Sequence, residues 1–426
     1  VGERCLSKVS MGGFGKTLAP FEVRSYRFQW PADLLTSWAF EMETIILGWF
    51  VLVKTDSVFL LTVFASLQYI GALIAPMFGV AGDRVGRRAM MCGMRAIYAV
   101  LAGALMTLGL LDILNAYHVF AIASLMGVIR PSDLVMRNSL IGDTMPPGHL
   151  MPAIGLGRTT QDSARIAGAL AGAGLFSAFG IGTAYIFVVV FYAASLVLTF
   201  GVSGVRPADI APADLAGDDA QPAPPKVSPW RDLKDGLIYV WRTPPVRAVM
   251  WIAFQVNLTA YPILLGLMPY VAREIYHVDE NGLGVLVASY ASGALIGSLA
   301  MAWTGGSRRP SVFMLVFIFA WYALLGVFAQ MTTLQSGAIV LVLVGMTQTT
   351  AMISMAVTLL RTVNDRLRGR VMGVRSLAIY SLPWGLMASG ILVEQYGYTP
   401  TVVIYCAIGV VFTAFIGFKY RDVLWR

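Results

Sequence analysis

Long apolar stretches separated by short polar connections make up most of the chain. Each stretch holds about 20 residues, which is the length that an α-helix needs to cross a bilayer. The pattern predicts twelve membrane-spanning helices, here called spans 1 to 12. Their expected ranges are 32–53, 58–80, 89–111, 117–137, 152–177, 182–203, 246–272, 282–303, 311–329, 335–360, 371–393 and 399–418.

A polar segment interrupts this pattern after span 6. Residues 204–229 carry six prolines and four aspartates, a composition that cannot bury a core and predicts a flexible linker. From Trp230 to Trp241, apolar residues recur at helical spacing, which predicts a short amphipathic helix on the membrane surface. The expected division of the chain is an N-terminal segment at 1–30, a six-helix bundle at 31–203, a linker at 204–245, a second six-helix bundle at 246–420 and a tail at 421–426.

The composition and the placement of charge agree with a membrane protein. Hydrophobic residues make up 57% of the chain and charged residues only 13%, whereas soluble domains have about 25% charged residues. The formal net charge is +8, but the basic residues lie in alternate short connections, so no nucleic-acid partner is expected. Those connections are 84–88, 206–247, 308–309 and 361–370, whereas 111–117, 178–182, 330–335 and 394–399 contain no Lys or Arg. The positive-inside rule then predicts that both termini are cytoplasmic.

An internal repeat relates the two groups of six spans. The tetrapeptide Gly71–Ile74 recurs as Gly293–Ile296, 222 residues later, and the same shift places Arg87 on Arg309. Two repeats around a central site are common in secondary transporters. The repeat therefore predicts two related bundles with a site between them.

The polar stretch between spans 2 and 3 reads Gly-Val-Ala-Gly-Asp-Arg-Val-Gly-Arg-Arg. Its residues Gly79, Asp83, Arg84, Gly86, Arg87 and Arg88 resemble those of the corresponding loop in the major facilitator superfamily of secondary transporters. The resemblance covers about residues 30–420. It implies an all-α membrane fold with twelve helices in two pseudo-symmetric six-helix bundles. It also implies a conformational latch, in which Asp83 caps the start of span 11 and pairs with Arg137 at the end of span 4.

A second, shorter resemblance concerns span 1. The stretch from Ser37-Trp38 through Gly48-Trp49, followed by Thr55-Asp-Ser57, is similar to the bacterial branch that contains siderophore and drug exporters. This implies a proton-coupled antiporter in the bacterial inner membrane that exports small amphipathic compounds by alternating access. Its expected partners are the lipid bilayer, a small-molecule substrate and protons, and it is expected to be a monomer.

Two other functions remain open at this stage. One is transport, in either direction, of a defined anionic metabolite such as a siderophore. The other is a membrane receptor or scaffold that has kept the fold and lost transport. Enzymatic activity is not expected, because the sequence has no nucleotide-binding loop and no nucleophile–base arrangement. No metal is expected, since the cysteines are scattered at Cys5, Cys92 and Cys406. No cofactor is expected either.

Two carboxylates near the middle of span 1 are the first candidates for proton coupling. A membrane interior disfavours the charged form of a carboxyl group, which is the chemistry that a proton-coupled carrier needs. Glu41 and Glu43 are two residues apart, so they lie about 200° apart around the helix. We favour Glu41, because it shares its face with Ser37 and Thr44. A structural ion pair with an arginine is the alternative for either acid.

Charged residues also recur along spans 4 and 5. Spacings of three, four and seven residues place Arg130, Asp133 and Arg137 on one face of span 4, and Arg158, Asp162 and Arg165 on one face of span 5. Such charges need partners or a water-filled cavity, so we expect them to pair between the two helices. For most of them, this structural lock is an equal or stronger alternative to a role in substrate binding. Arg130 lies deepest and is the one expected to face substrate.

Other polar or aromatic residues inside the spans can line a central cavity. A structural role, bridging helices or packing, is an equal or stronger alternative for each of them. These candidates are Gln68, Asn257, Gln348, Tyr380 and Trp384.

Overall fold

The computed structural model describes residues 19–203, 229–304, 307, 309–363, 371, 374–375 and 377–425. The expectations for the N-terminal segment before residue 19 and for the proline-rich residues 204–228 of the linker therefore fall outside the described residues. The side chains of residues 229–235 and of Asp83 also lie outside the description. The implied contacts of Asp83 stay predictions.

The described residues form twelve helical spans in the predicted order. In the first half they are Arg24–Thr55 (span 1), Val58–Leu67 with Ile70–Ile74 and Ala75–Val85 (span 2), Arg87–Leu110 (span 3), Ala116–Thr144 (span 4) and Pro147–Phe200 (spans 5 and 6). In the second half they are Pro244–Thr259 with Tyr261–Leu265, Met268–Tyr270 and Val271–Ile275 (span 7), Glu280–Thr304 (span 8), Pro310–Phe328 (span 9), Leu334–Thr362 (span 10), Ala378–Tyr380 with Ser381–Tyr396 (span 11) and Tyr398–Lys419 (span 12). Short helices also occupy Ala19–Glu22, Pro229–Arg242 and Arg421–Leu424.

The length and hydropathy of these helices confirm the predicted fold class. Among the described residues, nine helices are long and apolar enough to cross a membrane. The helix Pro147–Phe200 supplies two spans, because Gly180, with φ of 75°, interrupts it. That backbone conformation favours glycine. Spans 2 and 11 are shorter apolar helices, which brings the number of spans to twelve.

Span 1 begins eight residues earlier than the apolar pattern predicts, at Arg24. Its first two turns are held by protein contacts, which hydropathy does not report. The Tyr26 hydroxyl donates to the carbonyl of Ala153 at 3.1 Å, and the Gln29 amide donates to the carbonyl of Arg137 at 3.2 Å. The longer helix brings additional polar residues into the first half.

Each half of the molecule has an apolar core of its own. The core of the first half contains large, fully buried side chains from spans 1, 3 and 6, such as Met42, Tyr98 and Tyr185. The core of the second half is centred on span 9, with Trp321 and Phe328 fully buried. The two halves therefore pack separately as well as against each other.

Glycines bring spans 2 and 4 into backbone contact, and the same contact recurs in the second half. A Cβ atom at Gly71 would overlap the carbonyl of Val128, and one at Gly127 would overlap the carbonyl of Leu67. Small residues allow membrane helices to approach this closely. The equivalent contact between spans 8 and 10 involves Gly293, Gly345, Val342 and Tyr290. The repeated tetrapeptides thus mark the same helix crossing in both halves.

The two halves are joined by polar contacts at one end of the bundle. We call this end, where residues 56–57 and 276–279 lie, the far end, and the end at residues 83–88 the motif end. Arg273 Nη1 lies 2.8 Å from Asp56 Oδ1. Glu394 of span 11 accepts hydrogen bonds from the Ser57 hydroxyl at 2.8 Å and the Phe59 N–H at 3.0 Å. An acid of the second half therefore caps the first turn of span 2.

A third contact between the halves lies beside the start of span 8. Asn281 Nδ2 donates to Ser177 Oγ of span 5 at 2.9 Å and to Asp279 Oδ2 at 3.0 Å. Asp279 also accepts from the Gly282 N–H at 3.1 Å. The Asn281 side chain and these backbone hydrogen bonds hold the pKa of the Asp279 carboxyl below its usual range. The far end of the described structure is therefore closed by charged and hydrogen-bonded groups.

We expect Gly71→Ala to lower the melting temperature of the purified protein by several degrees, because the added methyl group would push spans 2 and 4 apart. Overpacking of this kind costs about 1–3 kcal/mol. Gly103→Ala in span 3 is the matched control, since no atom of a neighbouring helix lies within 4 Å of the position that its Cβ would take. Equal melting temperatures for the two variants would contradict the proposed crossing.

We also expect Glu394→Ala to loosen the far end, because span 2 loses its cap. Loss of a helix cap costs about 1 kcal/mol. This free energy corresponds to a roughly fivefold change in the ratio of molecules whose halves are in contact at the far end to molecules whose halves are apart there. Spin labels at Asp112→Cys and Thr332→Cys, on a background without native cysteines, report the distance between the halves. The control is Gln395→Ala, an exposed neighbour on the same helix. A distance distribution that Glu394→Ala leaves unchanged would show that the cap does not hold the halves together.

Candidate functional site

A cavity lies between the two halves and is lined by residues of both. Spans 1, 2 and 5 form one wall, and spans 7 and 8 form the other. The charged residues in its lining are Glu41 and Arg165, with Glu41 Oε1 at 3.5 Å from Arg165 Nε. The side chains of Glu41 and Arg165 are 26% and 34% exposed. The ion pair is thus open to the cavity and to exchange with a solute.

Glycines of span 5 place Arg165 beside Glu41. A Cβ atom at Gly168 would lie 2.8 Å from Glu41 Cβ and 3.1 Å from the carbonyl of Trp38. One turn further along, a Cβ atom at Gly172 would lie 2.8 Å from the Cα of Met42. Span 5 therefore packs directly on the backbone of span 1, and Arg165 reaches the carboxylate from one turn away.

Glu43 lies on the opposite face of span 1, inside the first bundle. It is 3% exposed. Its carboxylate accepts a hydrogen bond from the Tyr192 hydroxyl at 3.1 Å and another from the Tyr185 hydroxyl at 3.4 Å. The two candidate acids thus have different surroundings, because Glu41 faces the cavity and Glu43 is enclosed by span 6.

Arg130 lies behind the cavity wall. Its guanidinium donates to Gln68 Oε1 at 2.6 Å, to the carbonyl of Phe40 at 2.7 Å and to Thr44 Oγ1 at 3.2 Å. The guanidinium carbon also lies 4.2 Å from the centre of the Phe40 ring, which adds a cation–π contact. Gln68 and Thr44 line the cavity. Arg130 therefore reaches the cavity through the side chains that it holds.

The second half has a corresponding neutral arrangement around Gln348. Its Nε2 donates to the Tyr261 hydroxyl at 2.7 Å, and its Oε1 accepts from the Tyr290 hydroxyl at 3.3 Å and from the Thr349 hydroxyl at 3.1 Å. Tyr290 lines the cavity. Gln348 supports the second wall as Arg130 supports the first.

The charged residues of span 4 do not pair with span 5 in the described structure, contrary to expectation. Arg137 Nε pairs with Asp133 of its own helix, and it also lies 3.6 Å from Asp33 of span 1. Its Nη1 donates to the Ser37 hydroxyl at 2.8 Å. The reason is that span 1 packs against both spans 4 and 5 and supplies the acids for each of them.

The charged residues of span 5 follow the same rule. Arg158 Nε lies 3.6 Å from Asp162 on the same helix, and Arg165 pairs with Glu41 of span 1. The Arg158 side chain is 66% exposed, whereas that of Asp162 is 7% exposed. The expected charged network exists, but its members pair along a helix or with span 1.

Two members of this network escaped the sequence reasoning. Arg95 of span 3 is fully buried, forms an ion pair with Asp33 and donates to the Thr199 hydroxyl. Arg95 lies six residues inside an expected span, and a charge at such a position indicates a functional or paired group. Asp33 lies at the expected start of span 1, where a charged residue gives no such indication. Together with Asp133 and Arg137, these residues form a neutral buried group of two acids and two arginines, which we call the charged tetrad.

The motif arginines bind the ends of neighbouring spans. Arg87 forms an ion pair with Asp143 and donates to the carbonyl of Ser139 at 3.0 Å, both near the end of span 4. Arg88 donates to the carbonyl of Phe200 at the end of span 6, at 2.6 Å. Asp143 is another partner that sequence reasoning missed. These contacts fix the turn between spans 2 and 3 on its own bundle.

The remaining motif residues shape this turn. Gly86 connects spans 2 and 3 with φ of 99° and ψ of 129°, a conformation that L-amino acids rarely adopt. Arg84 is exposed in the last turn of span 2, and the backbone of Gly79 lies in the same helix.

The other cavity candidates have separate positions. Asn257 donates to the carbonyl of Ala253 in its own helix at 2.8 Å. Tyr380 donates to the carbonyl of Ala72 at 2.7 Å and so bridges the halves. Trp384 is 68% exposed and is not part of the described cavity lining. Among the described residues, no group of three or more His, Cys, Asp or Glu side chains is arranged to hold a metal ion.

Comparison with known proteins extends these observations. The family model of the Major Facilitator Superfamily matches residues 34–388. The fold is similar to that of a bacterial homolog of the human lysosomal transporter Spinster, solved in an inward-facing and unoccupied conformation. The TM-score is 0.71 and the identity 15%, over 94% of this chain and 98% of that one.

Two further solved structures share the fold. One is a POT family transporter in complex with 5-aminolevulinic acid, with a TM-score of 0.71 and 11% identity over 95% of this chain and 97% of that one. The other is the human organic anion transporter MFSD10, with a TM-score of 0.60 and 14% identity over 92% and 99%. At these identities the likeness concerns the fold alone. No curated protein sequence matches the chain.

We expect Arg95→Met to destabilise the protein strongly, because Asp33 loses the fully buried partner of its ion pair. Breaking a buried ion pair costs about 3–5 kcal/mol. The measurement is the thermal unfolding of purified protein, together with its yield from the membrane. Arg242→Met, at an exposed arginine of the short helix Pro229–Arg242, is the control and should have a small effect. Equal decreases in melting temperature for the two variants would show that the charged tetrad does not stabilise the protein more than an exposed arginine does.

Proposed function

Because the chain belongs to the Major Facilitator Superfamily, we propose that it is a secondary active transporter of small amphipathic compounds, coupled to protons through Glu41. The observation that carries this proposal is the Glu41–Arg165 ion pair, 3.5 Å apart and lining the cavity between the halves. The solutes that such a pair favours are those with an acidic group, since Arg165 can exchange one carboxylate for another.

The coupling step follows from the charges of this pair. When Glu41 takes up a proton it loses its charge, and Arg165 is released to bind the acidic group of a solute. When the proton leaves, Glu41 competes again for Arg165 and the solute is displaced. A proton and an acidic solute are therefore bound and released together, and the two halves rock around them.

Export in exchange for protons is the second candidate, and the resemblance of span 1 to the exporter branch favours it. Export requires the opposite coupling between proton and solute, because binding of the solute must then release a proton from the site. Two proteins of similar structure, an organic anion transporter and a POT family transporter in complex with 5-aminolevulinic acid, support acidic solutes in the first mechanism. The proton stoichiometry of binding separates the two.

The setting of this transport is also a proposal. We place the chain in a bacterial inner membrane as a monomer with both termini in the cytoplasm, because the basic connections lie at the motif end. The far end, with Asp56–Arg273 and Glu394 in contact, would then be the closed outer side.

Proteoliposomes with an imposed proton gradient test the role of Glu41. The probe is hexanesulfonate, which stays ionised and does not carry protons through the bilayer by itself. We expect wild-type protein to accumulate the probe several-fold along an inward proton gradient. Glu41→Gln should retain exchange of the probe and lose its accumulation, because a neutral side chain cannot follow the gradient.

Glu22→Gln is the control, since this acid is exposed in the short helix Ala19–Glu22 and is not part of the described cavity lining. Unchanged accumulation in Glu41→Gln would exclude Glu41 as the coupling residue. Proton release on binding of the probe would favour the exporter mechanism. Absence of flux for the probe and for a wider panel of organic acids, bases and neutral amphiphiles would point to a receptor or scaffold.

A further inference from the structure

Two polar side chains face each other across the cavity at equivalent positions of the repeat. Gln68 of span 2 and Tyr290 of span 8 both line the cavity. They are 222 residues apart, the same separation as the repeated tetrapeptides that begin at Gly71 and Gly293. Each therefore marks the same place on its own wall.

Each of these two residues is held by a further side chain at an equivalent position, and the two supporting side chains differ in charge. Arg130 holds Gln68, and Gln348 holds Tyr290. These two supports are 218 residues apart, the separation of the close-packed glycines Gly127 and Gly345 on the same spans. The first wall thus has a cationic support and the second wall a neutral one.

Arg130 decides which atom of Gln68 remains for a solute. An arginine can only donate hydrogen bonds, and Arg130 Nη1 lies 2.6 Å from Gln68 Oε1. The amide oxygen of Gln68 is therefore turned to Arg130, and its NH₂ group is left for other partners. The positive charge behind the amide also polarises it and makes its N–H groups stronger donors.

Gln348 leaves Tyr290 as a hydrogen-bond acceptor, whereas Arg130 leaves Gln68 as a donor. The Tyr290 hydroxyl donates its single hydrogen to Gln348 Oε1 at 3.3 Å, while the Gln348 nitrogen is engaged by the Tyr261 hydroxyl at 2.7 Å. A tyrosine hydroxyl whose hydrogen is used can still accept through its lone pairs. The second wall therefore offers an acceptor where the first wall offers donors.

We propose that the cavity is chemically polarised and selects solutes with an acceptor at one end and a donor at the other. The acceptor end, a carboxylate or similar acid, is bound by the Gln68 amide on the wall that also carries Arg165. The donor end, a hydroxyl group, is bound by the Tyr290 oxygen. Leu61 and Leu264 also line the cavity and offer apolar surface to the segment between the two ends. This inference rests on the proposed transport function and names its solute class as amphipathic hydroxy acids.

Binding to purified protein at fixed pH tests this selectivity. The probes are ω-hydroxycarboxylates of three to eight carbons, each compared with the unsubstituted carboxylate and the primary alcohol of the same length. Isothermal calorimetry gives their dissociation constants. We expect the hydroxy acid of best length to bind about tenfold more tightly than either comparison compound, since one additional hydrogen bond contributes about 1 kcal/mol or slightly more.

Variants assign each end of the solute to a wall. Tyr290→Phe should reduce the ratio of hydroxy acid to carboxylate affinity from about ten to about one, because the acceptor is lost. Gln68→Met should lower the ratio of hydroxy acid to alcohol affinity several-fold, to a value that stays above one because Arg165 still contacts the acidic group. Tyr270→Phe, at a tyrosine of span 7 outside the described cavity lining, is the control and should leave both ratios unchanged.

Three results would overturn the inference. They are equal binding of hydroxy acid and carboxylate by wild-type protein, an undiminished ratio in Tyr290→Phe, and no binding of any probe in the series. These measurements need no proton gradient. Loss of the hydroxyl preference therefore leaves coupling by Glu41 standing, whereas failed coupling with an intact preference overturns only the proposed transport mechanism.

Discussion

Charged groups inside a membrane need partners, and span 1 provides three acids that meet this need in three ways. Asp33 is neutralised within the charged tetrad, Glu43 is held by two tyrosine hydroxyls, and Glu41 pairs with Arg165 at the cavity surface. The first two are enclosed, and the third is exposed to solute. The same physical requirement therefore produces both the rigid part of the first half and its exchangeable site.

The repeat and the close helix crossings determine how the two walls of the cavity face each other. The same glycine contacts fix the crossing of spans 2 and 4 and the crossing of spans 8 and 10. Residues next to these crossings therefore lie at matching depths in the two halves. Arg130 and Gln348 then differ in charge at one and the same position of the two halves. A symmetric framework thus carries an asymmetric site, which is what directional recognition of a solute requires.

The sequence predicted what depends on local pattern and missed what depends on helix packing. Twelve spans, the repeat and the opposite faces of Glu41 and Glu43 follow from length and helical spacing, and the structure confirms them. The partners of Arg137 and Arg165 do not follow, because they depend on span 1 packing against both spans 4 and 5. Asp33 was missed because protein contacts, which hydropathy does not report, lengthen span 1 at its start.

The positions of these partners along the chain have a consequence for biosynthesis. The groups that satisfy Asp33, Glu41 and Glu43 come from spans 3 to 6, so every one of them precedes the linker. All of these partners are therefore translated before span 7. Insertion of the most charged helix does not have to wait for the second bundle, and the first bundle is expected to leave the translocon already folded.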